Sequence, residues 1–205
     1  HVETRHVSVI LRSMLRITAG EHRGRKLKVP KVAATRPLVE RAREGVFNHL
    51  GALITDALFW DVYAGSGILG LEALSRGARQ VVAIEFNAKA VQQIRENAEL
   101  IRVQDRLQTM RIDAHTLPGL TTLEPPDIVF FDPPYDDFRK GGAARIKAWG
   151  LFLGLCEGLR PGGCAIAHTP KGLLSDDELA KLPGVERRDY GSASLYWWHK
   201  AETHS

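Results

Sequence analysis

Residues 58–77 read LFWDVYAGSGILGLEALSRG. The run Leu58-Phe59-Trp60-Asp61-Val62-Tyr63 is apolar and aromatic enough to predict a strand. Ala64-Gly65-Ser66-Gly67 then gives a glycine-rich turn, and ILGLEALSRG (68–77) predicts a helix stopped by Gly77. Strand, turn and helix in this order open an α/β unit, and the pattern repeats outward from it. Val81-Val82-Ala83-Ile84 is a second strand, closed by Glu85. Asn87 caps the next helix, in which Ala88, Val91, Ile94, Ala98 and Ile101 form one apolar stripe that belongs to the core. Leu107 to Ile112 is a third strand ending at Asp113, and Asp127 to Phe131 a fourth ending at Asp132. A helix around 143–159, Pro161-Gly162-Gly163 and a fifth strand from Cys164 to Ala167 follow. The tail VERRDYGSASLYWWHK (185–200) reads as two strands around Gly191-Ser192 with no helix between them. The expected fold class is α/β, a mostly parallel seven-stranded sheet with a C-terminal antiparallel hairpin.

Upstream of the first strand, LVERAREGVFNHLGALI (38–54) predicts a helix, with Leu38, Ala42, Val46, Phe47 and Leu50 at helical spacing. Before it, HRGRKLKVPKVAATRP (22–37) mixes basic residues with Gly and Pro and reads as a short hairpin or an extended segment. The expected division is a leader or remnant of expression at 1–13, a basic arm and helix at 14–54, and the main domain at 55–205. Residues 1–13 lack the order of a signal peptide, and Met14 opens a more convincing start.

Composition narrows the class. The chain has 205 residues, 44% hydrophobic and 25% charged, the profile of a globular domain with a sizeable core. No apolar run approaches the roughly 18 residues of a membrane span. Cys156 and Cys164 fit no metal or redox spacing and read as buried thiols in a reducing cytoplasm. Charge is uneven. Residues 16–43 hold nine Lys or Arg against Glu21 and Glu40, although the whole chain carries only +4. A basic arm on a mildly acidic body is the footprint of a protein that meets a polyanion.

In open α/β sheets, ligands sit outside the carboxyl ends of the strands. Here those ends carry Asp61, Glu85, Asp113 and Asp132. Any one of them alone reads as a surface or capping carboxylate; four at equivalent positions read as a site. Gly65-x-Gly67-x-x-Gly70 formally matches a dinucleotide fingerprint, but Asp61 ahead of it would repel a pyrophosphate and favour a cationic group. S-adenosylmethionine has a sulfonium and an ammonium and no phosphate. Tyr63, Ala64, Gly65, Ser66 and Gly67 are the loop expected to pack against it. Glu85, with Phe86 and Asn87 after it, is placed to accept ribose hydroxyls, and Asp113 or the backbone at Ala114 to meet adenine.

The fourth strand runs into Asp132-Pro133-Pro134-Tyr135. Two prolines and an aromatic ring exceed what a turn requires. An exocyclic amine on a base is a poor nucleophile because its lone pair is delocalised into the ring. Acceptors on its two hydrogens pull the nitrogen towards a tetrahedral shape. Asp132 and the Pro133 carbonyl supply two acceptors, the prolines stiffen them, and Tyr135 offers a stacking face. No metal is required for this chemistry. The basic residues Arg23, Arg25, Lys26 and Lys28 are expected to grip phosphates, with Arg36 and Arg41 nearer the target nucleotide.

RITAGEHRGRKLKVP (16–30), TRPLVERAREGVFNHL (35–50), DVYAGSGILGLEALSRGA (61–78) and DIVFFDPPY (127–135) together resemble the RsmD-like family of 16S ribosomal RNA guanine-N2 methyltransferases. The resemblance covers 14 to about 198. It implies a Rossmann-like class I methyltransferase fold, S-adenosylmethionine as donor, and a guanine N2 of 16S rRNA, free or in an assembling small subunit, as acceptor. A cytoplasmic monomer with no membrane partner and no metal is expected. The chain departs from the family at Leu38, where a small polar residue is common, and at Ala167-His168, where an acid often precedes the His. Three other readings compete: amino methylation of another acceptor (adenine N6, or a protein glutamine), an rRNA-binding assembly factor without turnover, and an NAD-dependent dehydrogenase. The last leaves the two prolines unexplained.

Overall fold

The computed structural model describes residues 15–30, 38–120, 122–139 and 142–202. It opens with two short antiparallel strands, β1 (Leu15–Arg16) and β2 (Lys26–Leu27), and the helix α1 (Glu40–Leu50). The main sheet then alternates with helices: β3 (Leu58–Val62), α2 (Ile68–Ser75), β4 (Gln80–Ile84), α3 (Ala88–Leu100), β5 (Leu107–Met110) and β6 (Ile128–Phe131). After it come α4 (Tyr135–Arg139), α5 (Gly142–Gly158), β7 (Cys164–Pro170), α6 (Asp176–Leu179), β8 (Glu186–Tyr190) and β9 (Ala193–His199). The seven strands lie in the order β5-β4-β3-β6-β7-β9-β8. All neighbours are parallel except those of β9, which runs antiparallel to both β7 and β8. The expected C-terminal hairpin is therefore present, and its second strand is the one inserted beside β7.

β3, β6 and β7 are buried along their whole length because helices cover both faces of the sheet. Alternate residues serve the two faces. Phe59, Val81, Ile128, Phe130, Ile166 and Trp197 pack with α1, α2 and α3. Trp60, Val62, Ile84, Val129, Phe131 and Tyr196 pack with Trp149, Phe152 and Leu155 of α5. The predicted strand ends shift by one to three residues: the third strand stops at Met110, and β7 continues through His168 to Pro170. Among the described residues no helix is long and apolar enough to cross a membrane.

The basic hairpin is docked on the body by buried polar side chains. The Glu21 N–H donates to the Ser75 carbonyl (2.8 Å) and the His22 N–H to Ser75 Oγ (2.9 Å). Ser75 Oγ in turn donates to the Ala19 carbonyl (2.7 Å). Asn97 of α3 clasps Lys28, accepting from its N–H and donating to its carbonyl, both at 2.9 Å. Gly20 has φ +82°, and a Cβ there would stand 1.8 Å from the Ser75 carbonyl oxygen, so this turn requires glycine. Beneath it, Glu72 is fully buried. It accepts from Arg43 Nε (2.7 Å), from Arg76 (2.8 and 3.1 Å) and from the Thr18 hydroxyl. Arg43 also donates to the Arg16 carbonyl (2.8 Å).

Candidate functional site

The carboxyl edge of the parallel strands gathers most of the residues singled out from the sequence. Main-chain bonds set its loops side by side. The Ala64 N–H donates to the Ile84 carbonyl (2.9 Å), the Glu85 N–H to Met110 (3.1 Å) and the Asp132 N–H to Val62 (3.1 Å). Asp61, next to last in β3, and Glu85 and Asp132, each directly after its strand, thus stand on three adjacent strands at one edge, with Asp113 past the end of β5.

Asp61 is 1% exposed, and its Oδ2 accepts from the Gly70 N–H at 3.0 Å. The carboxylate satisfies an amide of the first turn of α2, which has no partner within its own helix. Burial pushes the Asp61 carboxyl up to about 8; the Gly70 amide opposes this, while Asp132 and Glu85 add to it. Two of the fingerprint glycines serve packing. A Cβ on Gly67 or on Gly70 would come within 2.8 Å of Ile94 or Val81 respectively, so these glycines let α2 close onto α3 and β4. Gly65 has φ +54° and donates its N–H to Glu85 Oε2 (2.8 Å). Tyr63, at φ +65°, holds a left-handed backbone that side chains seldom adopt. Its ring packs edge-on against Phe131, with centroids 5.5 Å apart. Ala64 and Ser66 are buried in the same loop.

Glu85 bridges the Gly65 N–H and the Asn87 N–H, one carboxylate oxygen to each, at 2.8 and 2.7 Å. Each oxygen retains a further lone pair for a diol. Phe86 beside it is 71% exposed, an open apolar face at the rim. The Asn87 side chain is occupied in capping α3, accepting from Lys89 and Ala90. Asp113 accepts from the His115 N–H (3.0 Å) and caps the 3-10 turn Ala114–Gly119, in which Ala114 is buried.

Asp132 follows β6 directly, Pro133 is buried, Pro134 is exposed, and Tyr135 begins α4. Asp132 Oδ1 lies 2.7 Å from His168 Nδ1, and the Tyr135 hydroxyl lies 3.1 Å from His168 Nε2. His168 comes from β7, and no local sequence signal ties it to the motif. The pointers are its place at the end of a strand beside β6 and the family resemblance, in which a His often stands at this strand end.

The basic residues divide. Arg23, Arg25, Lys26 and Lys28 are exposed on the hairpin. The hairpin turn sits on Ser75, at the carboxyl end of α2, whereas the glycine loop is at the amino end. Eight helical residues separate the two, or about 12 Å at 1.5 Å per residue. Arg41 is exposed on the first turn of α1, next to Glu40, which Arg16 holds at 2.7 Å. Arg36 lies outside the described residues. Cys156 and Cys164 are buried, and burial pushes both thiols up to about 12. Among the described residues no group of three or more side chains is arranged to hold a metal ion.

Comparison with known proteins bears on this geometry. The family model described as "Conserved hypothetical protein 95" matches residues 15–199. The chain belongs to this family, the RsmD-like proteins. It is 40% identical over 128 residues to "Ribosomal RNA small subunit methyltransferase D" of Escherichia coli K12. That match spans 62% of this chain and 62% of that relative's length. Among solved structures, "Putative methyltransferase yhhF from Escherichia coli" superposes with a TM-score of 0.73 at 28% identity, covering 93% of this chain and 99% of that one. A Thermus thermophilus structure described as the 16S rRNA N2 G1207 methyltransferase RsmC in complex with AdoMet and guanosine gives 0.70 at 21% identity, over 91% of this chain and 49% of that one. The fold is the Rossmann-like class I methyltransferase fold expected from the sequence.

Proposed function

We propose that this chain transfers a methyl group from S-adenosylmethionine to the exocyclic N2 of a guanine in small-subunit rRNA. The observation that carries the reading is the placement of Asp132-Pro133-Pro134-Tyr135 at the end of β6, beside the carboxylates that end β3 and β4. S-adenosylmethionine, when bound, supplies a methyl group on a sulfonium. The donor set suits that cation. Burial raises the Asp61 carboxyl, Asp132 and Glu85 add to it, and a positive ligand beside these acids opposes the shift. Glu85 has lone pairs for a ribose, and Phe86 an exposed ring for a base. Asp132 accepts from the target amine and orients its lone pair, and Tyr135 stacks on the base. The names of the E. coli relative and of the Thermus structure support the RNA and N2 parts of the reading. The base is unstacked to reach this edge, while the hairpin cations hold phosphates about one helix length away. We read the chain as acting in the cytoplasm, as a monomer.

The test is transfer of labelled methyl from S-adenosylmethionine to unmodified small-subunit RNA, free and assembled with its proteins, followed by nucleoside analysis. Labelled N2-methylguanosine is the expected product. Label in N6-methyladenosine would keep the chemistry and change the acceptor. No label from protein that binds the donor would overturn the reading.

A further inference from the structure

We propose that His168 is a positioning residue that locks the two working ends of the Asp132–Tyr135 motif into one fixed relation. The inference rests on the methyl-transfer reading above and deepens it. His168 is 4% exposed and sits within β7, where it pairs with Leu195 of β9. Its two ring nitrogens face the two motif residues, Nδ1 to Asp132 Oδ1 at 2.7 Å and Nε2 to the Tyr135 hydroxyl at 3.1 Å. The Tyr135 and His168 rings are tilted by 55° with centroids 5.5 Å apart, so the link between them is the hydrogen bond and not a stack.

A carboxylate can only accept, so Nδ1 carries the hydrogen and donates it to Asp132. In the neutral ring Nε2 is then an acceptor, and the Tyr135 hydroxyl donates to it. The direction of the whole chain follows: Tyr135 O–H to His168, His168 N–H to Asp132. One Asp132 oxygen is thereby taken, and the carboxylate can no longer rotate freely. The other oxygen is left for the amine. The same ring tethers the tyrosine hydroxyl, which fixes the face that a base would stack on. Asp132 and Tyr135 stand on a strand-to-helix turn, and their mutual geometry would otherwise depend on the χ1 and χ2 torsions of both side chains. β7 is buried on both faces and gives the tether a rigid base.

The test uses the full chain with three substitutions. Asparagine places its amide N–H where Nδ1 stands, and glutamine reaches the place of Nε2. His168→Ala and His168→Gln should lower kcat by about 10- to 100-fold, the usual loss when a group orienting an active residue is removed. His168→Asn, which keeps the donor to Asp132, should stay within about tenfold of wild type. The dissociation constant for S-adenosylmethionine should not move in any of them. Nitrogen-15 shifts of the His168 ring in the free protein should show a protonated Nδ1 and a bare Nε2. An Nε2-protonated ring, an alanine variant with unchanged kcat, or rescue by glutamine in place of asparagine would each overturn the proposal. If wild-type protein transfers no methyl group at all, the functional reading fails, while the ring shifts still decide the hydrogen-bond chain.

Discussion

The molecule buries charge in two places and treats it in opposite ways. Under the hairpin, Glu72 is surrounded by Arg43, Arg76 and the Thr18 hydroxyl, and both carboxylate oxygens face a cation or donor. At the carboxyl edge, Asp61, Glu85 and Asp132 converge, and the partners that hold them are backbone amides and a histidine ring. The first cluster is complete within the chain and fixes the hairpin to α2. Among the described residues no Lys or Arg pairs with the second, and burial, with Asp132 and Glu85 adding to it, raises the Asp61 carboxyl. A buried charge with its counter-charge supplied is architecture; a buried charge without one marks where a ligand completes the structure.

The largest effect should come from the unbalanced site. Asp132→Ala should lower kcat by about 10²- to 10⁴-fold, as removal of a positioned polar group does, with donor binding measured by calorimetry nearly intact. Full retention of turnover would remove Asp132 from the chemistry and leave the edge without its distinguishing residue.

Next comes the balanced cluster. Glu72→Ala strands two guanidinium groups, one of them 1% exposed, and should cost about 3–5 kcal/mol in denaturant unfolding. Its effect on the chemistry should follow stability alone. A small loss would mean that the cluster is hydrated in solution and that the contrast is overstated.

Asp61 gives an effect of opposite sign. Its carboxyl is raised from 3.8 to about 8 in the folded chain, so the folded state keeps a proton that the unfolded state releases between those values. The stability from this source is complete below about 3.8 and is lost as pH rises towards 8. Asp61→Asn keeps an acceptor for the Gly70 N–H and removes the charge. It should flatten the dependence and melt higher than wild type at pH 8 by at least about 2 °C, the shift for 1 kcal/mol in a domain of this size. Binding of the cationic donor should weaken in the same variant, and in wild type should tighten as pH rises towards 8. A wild-type melting curve independent of pH over this window would show that the acids at this edge are already balanced.

The smallest effect on the fold, and a distinct one on the substrate, belongs to the hairpin surface. Replacing Arg23, Arg25 and Lys26 together by Ala should leave melting unchanged, since all three are exposed. It should raise the KM for RNA and reduce the slope of log affinity against log salt by about 2 to 3, close to one for each phosphate no longer gripped. An unchanged slope would take the hairpin out of the RNA interface.

Much of this is legible in the order of residues alone. Apolar runs of strand length alternating with helical stripes dictate a parallel sheet covered on both faces, and a tail of two strands without a helix dictates the antiparallel end. The acids Asp61, Glu85, Asp113 and Asp132 can be placed because each closes a strand, and strand ends in such a sheet share one edge. Local spacing cannot tell what each residue spends its hydrogen bonds on. Gly67 and Gly70 read as ligand-approach glycines, and the room they also make for Ile94 and Val81 does not show in the motif. Asn87, by contrast, is legible as a helix cap and spends its side chain on one. The basic arm reads as a short hairpin or an extended segment, but nothing in it tells that Glu72, Ser75 and Asn97, from 53 to 69 residues away along the chain, clasp it. His168 joins Asp132 across 36 residues. Periodicity and turn chemistry act over a few residues and fix the elements and their order. Pairing of buried polar groups acts across the sheet once strands lie side by side, so only the tertiary structure decides which charges are satisfied and which are left for a ligand.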